Sequence, residues 1–343
     1  MNHIIKTIGL ALLFFCMSCR SSTEIKENIF ILEKKISLDN KINIGGASSF
    51  DINKNGDFLI ADSQLKQVLL FKQDGSFIRK LSYEECDQGL VLEPLSAKFH
   101  PNGSIFVMLN GPIGIWFKAD GTCSSKTKPT LLPTSAYDID KNGFLYIFQR
   151  DSNSKLQIHD SLGVIIKDFS VQNDFPNAHT YITAKSILLN NDNLYIALPL
   201  SSKALQYSLD GDLLNTYPIE DATLRLATKD VSNPSSSEVA ELLVKYSTIQ
   251  YTNFIGENLL VTYFSPSKSV RNSGEEYINY FINKNEKIAF SSKTNFIPLK
   301  TFQDKIYAFY KYNKNEANEI CPKCGGIVNI GIAVYGINKK YTL

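Results

Sequence analysis

Residues Ser49 to Leu81 read SFDINKNGDFLIADSQLKQVLLFKQDGSFIRKL, and this stretch decides the fold. Phe50 to Ile52 is a short apolar run. Asn53-Lys54-Asn55-Gly56-Asp57 follows, a turn with glycine where a positive φ is needed. Phe58 to Ala61 is a second apolar run that stops at Asp62-Ser63, and Val68 to Phe71 is a third. Lys72-Gln73-Asp74-Gly75-Ser76 is another Asp-Gly turn, and Phe77 to Leu81 completes the unit. Four short strands with regular turn signals predict an all-β unit.

Weaker copies recur downstream, and six can be laid out. The second holds Lys98-Phe99-His100-Pro101-Asn102-Gly103-Ser104, and the third Tyr137-Asp138-Ile139-Asp140-Lys141-Asn142-Gly143. The fourth, fifth and sixth have their first turns at Asn190 to Asn193, Gly256 to Asn258 and Gln303 to Lys305. First-turn positions 56, 103, 143, 192, 256 and 303 keep roughly one spacing except for a longer gap before 256. A four-stranded unit repeated at about 40–50 residues is the spacing of propeller blades. The expected fold is therefore a six-bladed β-propeller with four-stranded antiparallel blades. Ile29 to Leu38 precedes the first complete unit and is expected to add a strand to the C-terminal blade and close the ring. Closure removes the unpaired edge that an open array would expose.

The chain of 343 residues has ordinary globular composition and a formal charge of +2. Such a balance gives no broad attraction to nucleic acid. Its N-terminus reads as a processing segment: Lys6, the apolar run Ile8 to Phe15, then Cys16-Met17-Ser18-Cys19 and the polar run from Arg20. The run is too short to span a bilayer. Residues 1–18 thus resemble a bacterial lipoprotein signal peptide, which implies lipidation at Cys19, with Cys16 standing where such signals usually have Leu. Residues 19–28 would be a tether and 29–343 the propeller.

The pattern Asp-x-Asn-x-x-Gly-x-Phe-Leu-Ile-Ala-Asp-Ser, followed by Val-Leu-Leu-Phe and Asp-Gly, resembles the NHL repeat. Joined to a lipoprotein leader, it is similar to the six-bladed propeller lipoproteins of Bacteroidota. The likeness is good in units one and three, fair in two and four, and weak in five and six. It implies a protein lipid-anchored in the bacterial cell envelope, at the outer membrane, and it does not fix a function.

Loop lengths point to where function sits. The first-to-second and third-to-fourth turns are short, and in a propeller they share one face. Insertions fall on the other: Ser82 to Pro94, Val171 to Tyr181, Ala222 to Ser247, Ser265 to Glu275 and Asn313 to Gly326. Elaboration of one face on a rigid scaffold marks a binding surface. The largest insertion contains a capping box, Ser235 with Glu238, before Val239, Leu242, Leu243 and Tyr246 at helical spacing. Its plain reading is a helix packed over the junction of blades four and five. Residues at the second-strand exits are the ligand-face candidates: Asp62, Ser63, Asn110, Gln149, Arg150, Tyr263, Tyr310 and Lys311. The competing reading for each is rim structure, and Arg150 with Asp151 forms a self-contained pair in that reading.

Cys321-Pro322-Lys323-Cys324 looks like a zinc knuckle, but the second ligand pair is missing. Export makes Cys321 and Cys324 a disulfide candidate, with a reduced or metal-bound state as the alternative. Cys86 falls in an elaborated-face loop and Cys123 after a plain-face turn, which speaks against a bridge between them and brings Cys86 toward the Cys321 loop. His3, His100, His159 and His179 share no blade position, so a His-built metal site is not expected, nor is a cofactor. No Gly-x-Ser-x-Gly or phosphate-cradling loop occurs. The expected role is a non-enzymatic binding or interaction module for a peptide, glycan or partner protein, with a channel-mouth metal-dependent hydrolase or lyase of the lactonase-like propeller type as the alternative.

Overall fold

The computed structural model describes residues 29–83, 85–86, 92–128, 136–148, 155–175, 186–227, 235–266, 276–283, 285, 288–313 and 328–341. The leader and tether with Cys19, and also Gln149, Arg150, Cys321 and Cys324, lie outside the described residues.

The chain forms six antiparallel four-stranded sheets, each a blade. Strand β1 (Phe30–Ser37) comes first. Blade 1 is β2 (Ala47–Ile52), β3 (Phe58–Asp62), β4 (Gln67–Phe71) and β5 (Phe77–Leu81). Blade 2 is β6 (Pro94–Phe99), β7 (Ile105–Leu109), β8 (Gly114–Phe117) and β9 (Cys123–Lys126). Blade 3 is β10 (Tyr137–Ile139), β11 (Leu145–Phe148), β12 (Lys155–His159) and β13 (Ile165–Ser170). Blade 4 is β14 (Ser186–Asn190), β15 (Asn193–Ala197), β16 (Lys203–Ser208) and β17 (Leu213–Pro218). Helix α1 (Ser236–Lys245) precedes blade 5, which is β18 (Thr248–Ile255), β19 (Asn258–Ser265), β20 (Glu276–Ile282) and β21 (Ile288–Thr294). Blade 6 is β22 (Lys300–Phe302), β23 (Lys305–Asn313) and β24 (Val328–Ile337), and β1 pairs with β24 as its fourth, outermost strand. The N-terminal strand thus closes the ring, as the sequence predicts.

Each blade is sandwiched between two neighbours, so its middle strands are buried on both faces. In β3 and β7 every residue is buried, whereas the outer β13 alternates between exposed and half-buried. This is why the second-strand segments FLIAD and IFVML are continuous apolar runs rather than alternating ones. The core is divided accordingly. Six apolar clusters sit one at each blade junction, from Ile52, Ile60, Phe71 and Ile332 between blades 6 and 1, to Leu260, Phe281 and Ile306 between blades 5 and 6.

The plain-face turns repeat one geometry. In blade 1 the Asn53 N–H donates to Asp57 O and the Gly56 N–H to Asn53 O, with Gly56 at φ +86°. This is a type I turn closed by a glycine in the left-handed region. The inner turns of blades 4 and 6 are two-residue turns instead, with Asn191-Asp192 and Gln303-Asp304 at positive φ.

The structure corrects one expectation. Cys86 and Cys123 form a disulfide, with Cα atoms 5.4 Å apart. Assigning each residue to a face ignored the twist that accumulates from the inner to the outer strand of a blade. At the rim, the plain-face turn of one blade lies against the far end of the preceding blade's outer strand. Gly121 of blade 2 sits against Arg79 and Leu81 of β5, and Gly211 of blade 4 against Phe169 of β13. Cys86, just beyond β5, therefore meets Cys123 at the start of β9 and staples blade 1 to blade 2.

Candidate functional site

The six inner strands surround a central cavity of about 250 Å³. Its lining draws on β2, β6, β10, β14, β18 and the segment leading into β22. The position two residues before each inner turn holds Asp51, Lys98, Asp138, Leu188, Asn253 and Lys300 in blades 1 to 6, and all six line the cavity. Four of them are charged and pair across blade boundaries. Lys300 Nζ lies 2.7 Å from Asp51 Oδ1, and Lys98 Nζ lies 2.8 Å from Asp138 Oδ1.

The second oxygen of each carboxylate holds the next blade. Asp51 Oδ2 accepts from the Phe99 N–H at 2.9 Å, and Asp138 Oδ2 from the Leu189 N–H at 2.8 Å. Ser49 Oγ accepts from the Ala97 N–H in the same manner. This collar is thus a circumferential clasp running from blade 6 through 1, 2 and 3 to 4. Burial pulls the Lys300 ammonium down, but the Asp51 and Asp138 carboxylates outweigh it and hold the group above its ordinary range. Lys98 also lies over the Tyr137 ring, 5.3 Å from its centroid.

The collar is net neutral and lies toward the plain-face end of the cavity, because inner strands run toward the plain-face turns. Ser48, Ser49, Ser96 and Gln250 lie on the loop-rich side of it. Each lysine ammonium has three N–H donors and forms one of these ion pairs, so together with the serines, Gln250 and Asn253 the cavity offers donors, hydroxyls and amides to a polar ligand. Among the described residues no three of His, Cys, Asp and Glu converge as a metal-ligand group.

The sequence-derived candidates are placed as follows. Asp62 is fully buried, and its carboxylate accepts from Gly45 N, Gly46 N, Leu65 N and Gln67 Nε2. Burial alone would raise its pKa, but these hydrogen bonds lower it below the usual carboxylate range. Asp62 therefore organises the loop-rich end of blade 1, and its oxygens are already engaged. The Ser63 N–H donates to Gly46 O beside it. Asn110 is exposed, and its backbone N–H donates to Glu93 O. Tyr263 is buried in the junction of blades 4 and 5, where its hydroxyl donates to Ser201 O at 2.7 Å. Burial pushes that phenol well above its ordinary range. Tyr310 is half-buried with the Lys35 ammonium 5.4 Å from its ring centroid. Lys311 pairs through its backbone with Ile330. Of Asp62, Ser63, Asn110, Tyr263 and Tyr310, Asn110 is the exposed one.

The collar escaped the sequence reading. Its signal is a charged or amide residue inside an otherwise apolar inner strand, as in Phe50-Asp51-Ile52 and Tyr137-Asp138-Ile139. The residue type changes from blade to blade, so no motif repeats; only the register of the turns aligns the ring.

Helix α1 carries the predicted capping box: Ser235 Oγ accepts from the Glu238 N–H, and the Glu238 carboxylate accepts from the Ser235 N–H at 2.7 Å. Leu242 packs with Phe175, Leu200 and Ala227, and Tyr246 packs against this cluster. The helix thus covers connectors of blades 3 and 4, with Ile249 N–H tied to Pro199 O at the entry to blade 5.

No family model matches this chain, and no curated protein matches it. Solved structures share its architecture. A protein of Bacteroides fragilis NCTC 9343 that is predicted to be exported is 13% identical, with a TM-score of 0.60 over 92% of this chain and 97% of that one. A member of the DUF4221 family from Bacteroides vulgatus ATCC 8482 is 12% identical, with a TM-score of 0.61 over 90% and 98%. At this identity the likeness is one of fold, a near-complete propeller matched along nearly its whole length.

Proposed function

We propose that the protein is an exported, lipid-anchored propeller of the NHL-like type that binds a peptide, glycan or partner protein through its loop-rich face and catalyses no reaction. The observation that carries this reading is the asymmetry of the two faces. Plain-face turns are two- to four-residue hairpins of repeated geometry, while the other face bears α1 with its own small apolar cluster. Loops built onto a rigid scaffold are where binding residues concentrate. In this reading a ligand enters from the loop-rich side, and the Asp51–Lys300 and Lys98–Asp138 pairs form the floor it meets. Export is supported by the leader ending at Cys19, by the Cys86–Cys123 disulfide, which suits an oxidising compartment, and by the Bacteroides fragilis neighbour. The outer membrane is the assigned anchorage.

Hydrogen-exchange mass spectrometry of the purified chain against peptide and glycan panels tests this. Ligand-induced protection is expected around Asn110, residues 222–227 and residues 242–249. Protection confined to the plain-face turns would sink the proposal. So would a stoichiometric divalent ion that is lost in Asn110→Ala together with a lyase or hydrolase turnover.

A further inference from the structure

Nine large apolar side chains are exposed among the described residues, and eight of them stand at the plain-face ends of outer strands or in the turns just before. In blade 3 these are Leu162 and Val164 of the last turn and Ile165 and Ile166 of β13, with Ile166 52% exposed. In blade 4 they are Leu213 and Leu214 of β17, with Leu214 54% exposed. Register fixes their position: Ile165 is opposite His159 and Leu213 opposite Tyr207, at the turn ends of the third strands. On the loop-rich face the one counterpart among the described residues is Leu65, between β3 and β4. A contiguous exposed apolar surface marks contact with a protein or a membrane.

The remaining two, Ile31 and Leu32, stand where the chain enters the fold. Leu32 is opposite Tyr335, which is itself opposite Ile306, just after the plain-face turn Gln303-Asp304. The chain therefore enters at the plain face, on blade 6. The Ile29 carbonyl accepts there from the Asn338 N–H, and Lys339 and Lys340, both exposed, come next. Blade 6 is opposite blade 3 in a ring of six, so the two apolar groups lie across the plain face from each other.

Ten residues separate Cys19 from Ile29. They reach at most about 35 Å when fully extended. Acyl chains on Cys19 would thus hold the plain-face side of blade 6 close to a bilayer. Charges beside β13 are mixed, with Lys167 paired to Asp210 and Lys155 to Asp168, so that side offers apolar contact rather than net charge. Beside the entry point, Lys339 and Lys340 add attraction to anionic headgroups.

We infer that the plain face is seated on a lipid bilayer, with the exposed side chains of β13 and β17 on one side and Ile31 and Leu32 on the other entering the headgroup boundary. The inference rests on the lipid-anchored reading proposed above and adds its geometry: the loop-rich face is turned away from the membrane, toward its ligand. Acyl chains joined to a second, weaker signal make membrane attachment stable.

The test is hydrogen-exchange mass spectrometry of the full chain, processed in a bacterial host and placed on vesicles of phosphatidylethanolamine and phosphatidylglycerol. The same chain without acyl groups, residues 20–343 in buffer, is the reference. The mass of the peptide bearing Cys19 reads acylation separately from the protection map. Exchange is expected to slow severalfold at residues 30–33, 162–167 and 213–216, with residues 63–67 and 242–249 unchanged. Ile166→Glu/Leu214→Glu changes two exposed positions. It is expected to float with the vesicles through its acyl chains yet lose protection at 162–167 and 213–216, with its melting temperature unchanged. Leu65→Glu is expected to keep that protection. If the double variant does not fold, the wild-type map decides alone. An acylated protein protected on the loop-rich face, or nowhere, overturns the seated plain face and leaves the anchor standing. An unmodified Cys19 overturns both. A dimer of the reference chain in light scattering that the double variant abolishes gives the apolar surface to a second copy, and overturns the proposal too.

Discussion

His159 shows how a single side chain is committed by its surroundings. It is 1% exposed, with Nδ1 at 3.0 Å from Gly163 O and Nε2 at 3.1 Å from Gln157 Oε1. A carbonyl only accepts, so Nδ1 carries the proton, and with a neutral ring the Gln157 amide is assigned flipped, its NH₂ in the place of Oε1, so that it donates to Nε2. Burial holds the pKa of this ring below its ordinary value, partly opposed by Gly163 and Asp160. The folded state therefore binds fewer protons than the unfolded chain, where His titrates near about 6.5. Its contribution to stability is complete above that pH and is lost as pH falls toward the depressed folded value. The unfolding midpoint is expected to drop between pH 7 and pH 5, by about 1.4 kcal/mol per unit of pKa difference. His159→Gln should give a visibly flatter profile in the same urea titrations; identical slopes would show that another group is responsible. At this scale Asp62 and Tyr263 carry the opposite lesson. Both are readable as strand-exit polar residues, but the partners that turn their oxygens onto the chain's own backbone include residues distant in sequence, Gly45 and Gly46 for one and Ser201 for the other.

The elements of the ring meet more closely at the rim than their sequence order suggests. Blade twist brings the turn of one blade against the outer strand of the one before, and the Cys86–Cys123 bridge is made at such a contact. The sequence separation of 37 makes this a long closed loop. Loop-closure entropy then assigns the bridge about 4 kcal/mol, drawn from the unfolded chain. The Cys86→Ala/Cys123→Ala double variant is expected to unfold at clearly lower urea concentration than the oxidised protein, and the oxidised protein treated with reductant should fall to the same midpoint. Coincident midpoints for all three would remove any stabilising role for the bridge. Helix α1 was legible because its capping box is local, three residues from Ser235 to Glu238. Its docking site was not, because Phe175 and Leu200 come from other blades.

For the whole molecule, ring closure is the decisive feature. Strand β1 covers the edge of β24, and the segment around it places Ile29 in the junction of blades 5 and 6 and Ile36 and Leu38 in that of blades 6 and 1. Each buried side chain of this size contributes roughly 1.5–3 kcal/mol, and the freed edge would template pairing with other chains. Deletion of residues 29–38 is expected to abolish cooperative unfolding and shift the protein to soluble aggregates in size-exclusion chromatography with light scattering. A monomeric deletion variant with an unchanged midpoint would mean that the ring closes without its fourth outer strand.

The sequence by itself determined the strand count, the turn chemistry, the number of blades and the strand that closes them. These follow from periodicity and from glycine at positions such as Gly56, which are properties of a few consecutive residues. Only the tertiary structure decided the Asp51–Lys300 and Lys98–Asp138 collar and the Cys86–Cys123 pairing. Each joins residues of different blades, and their juxtaposition is fixed by the strand register and by the accumulated twist of the sheets, neither of which any single stretch of sequence carries.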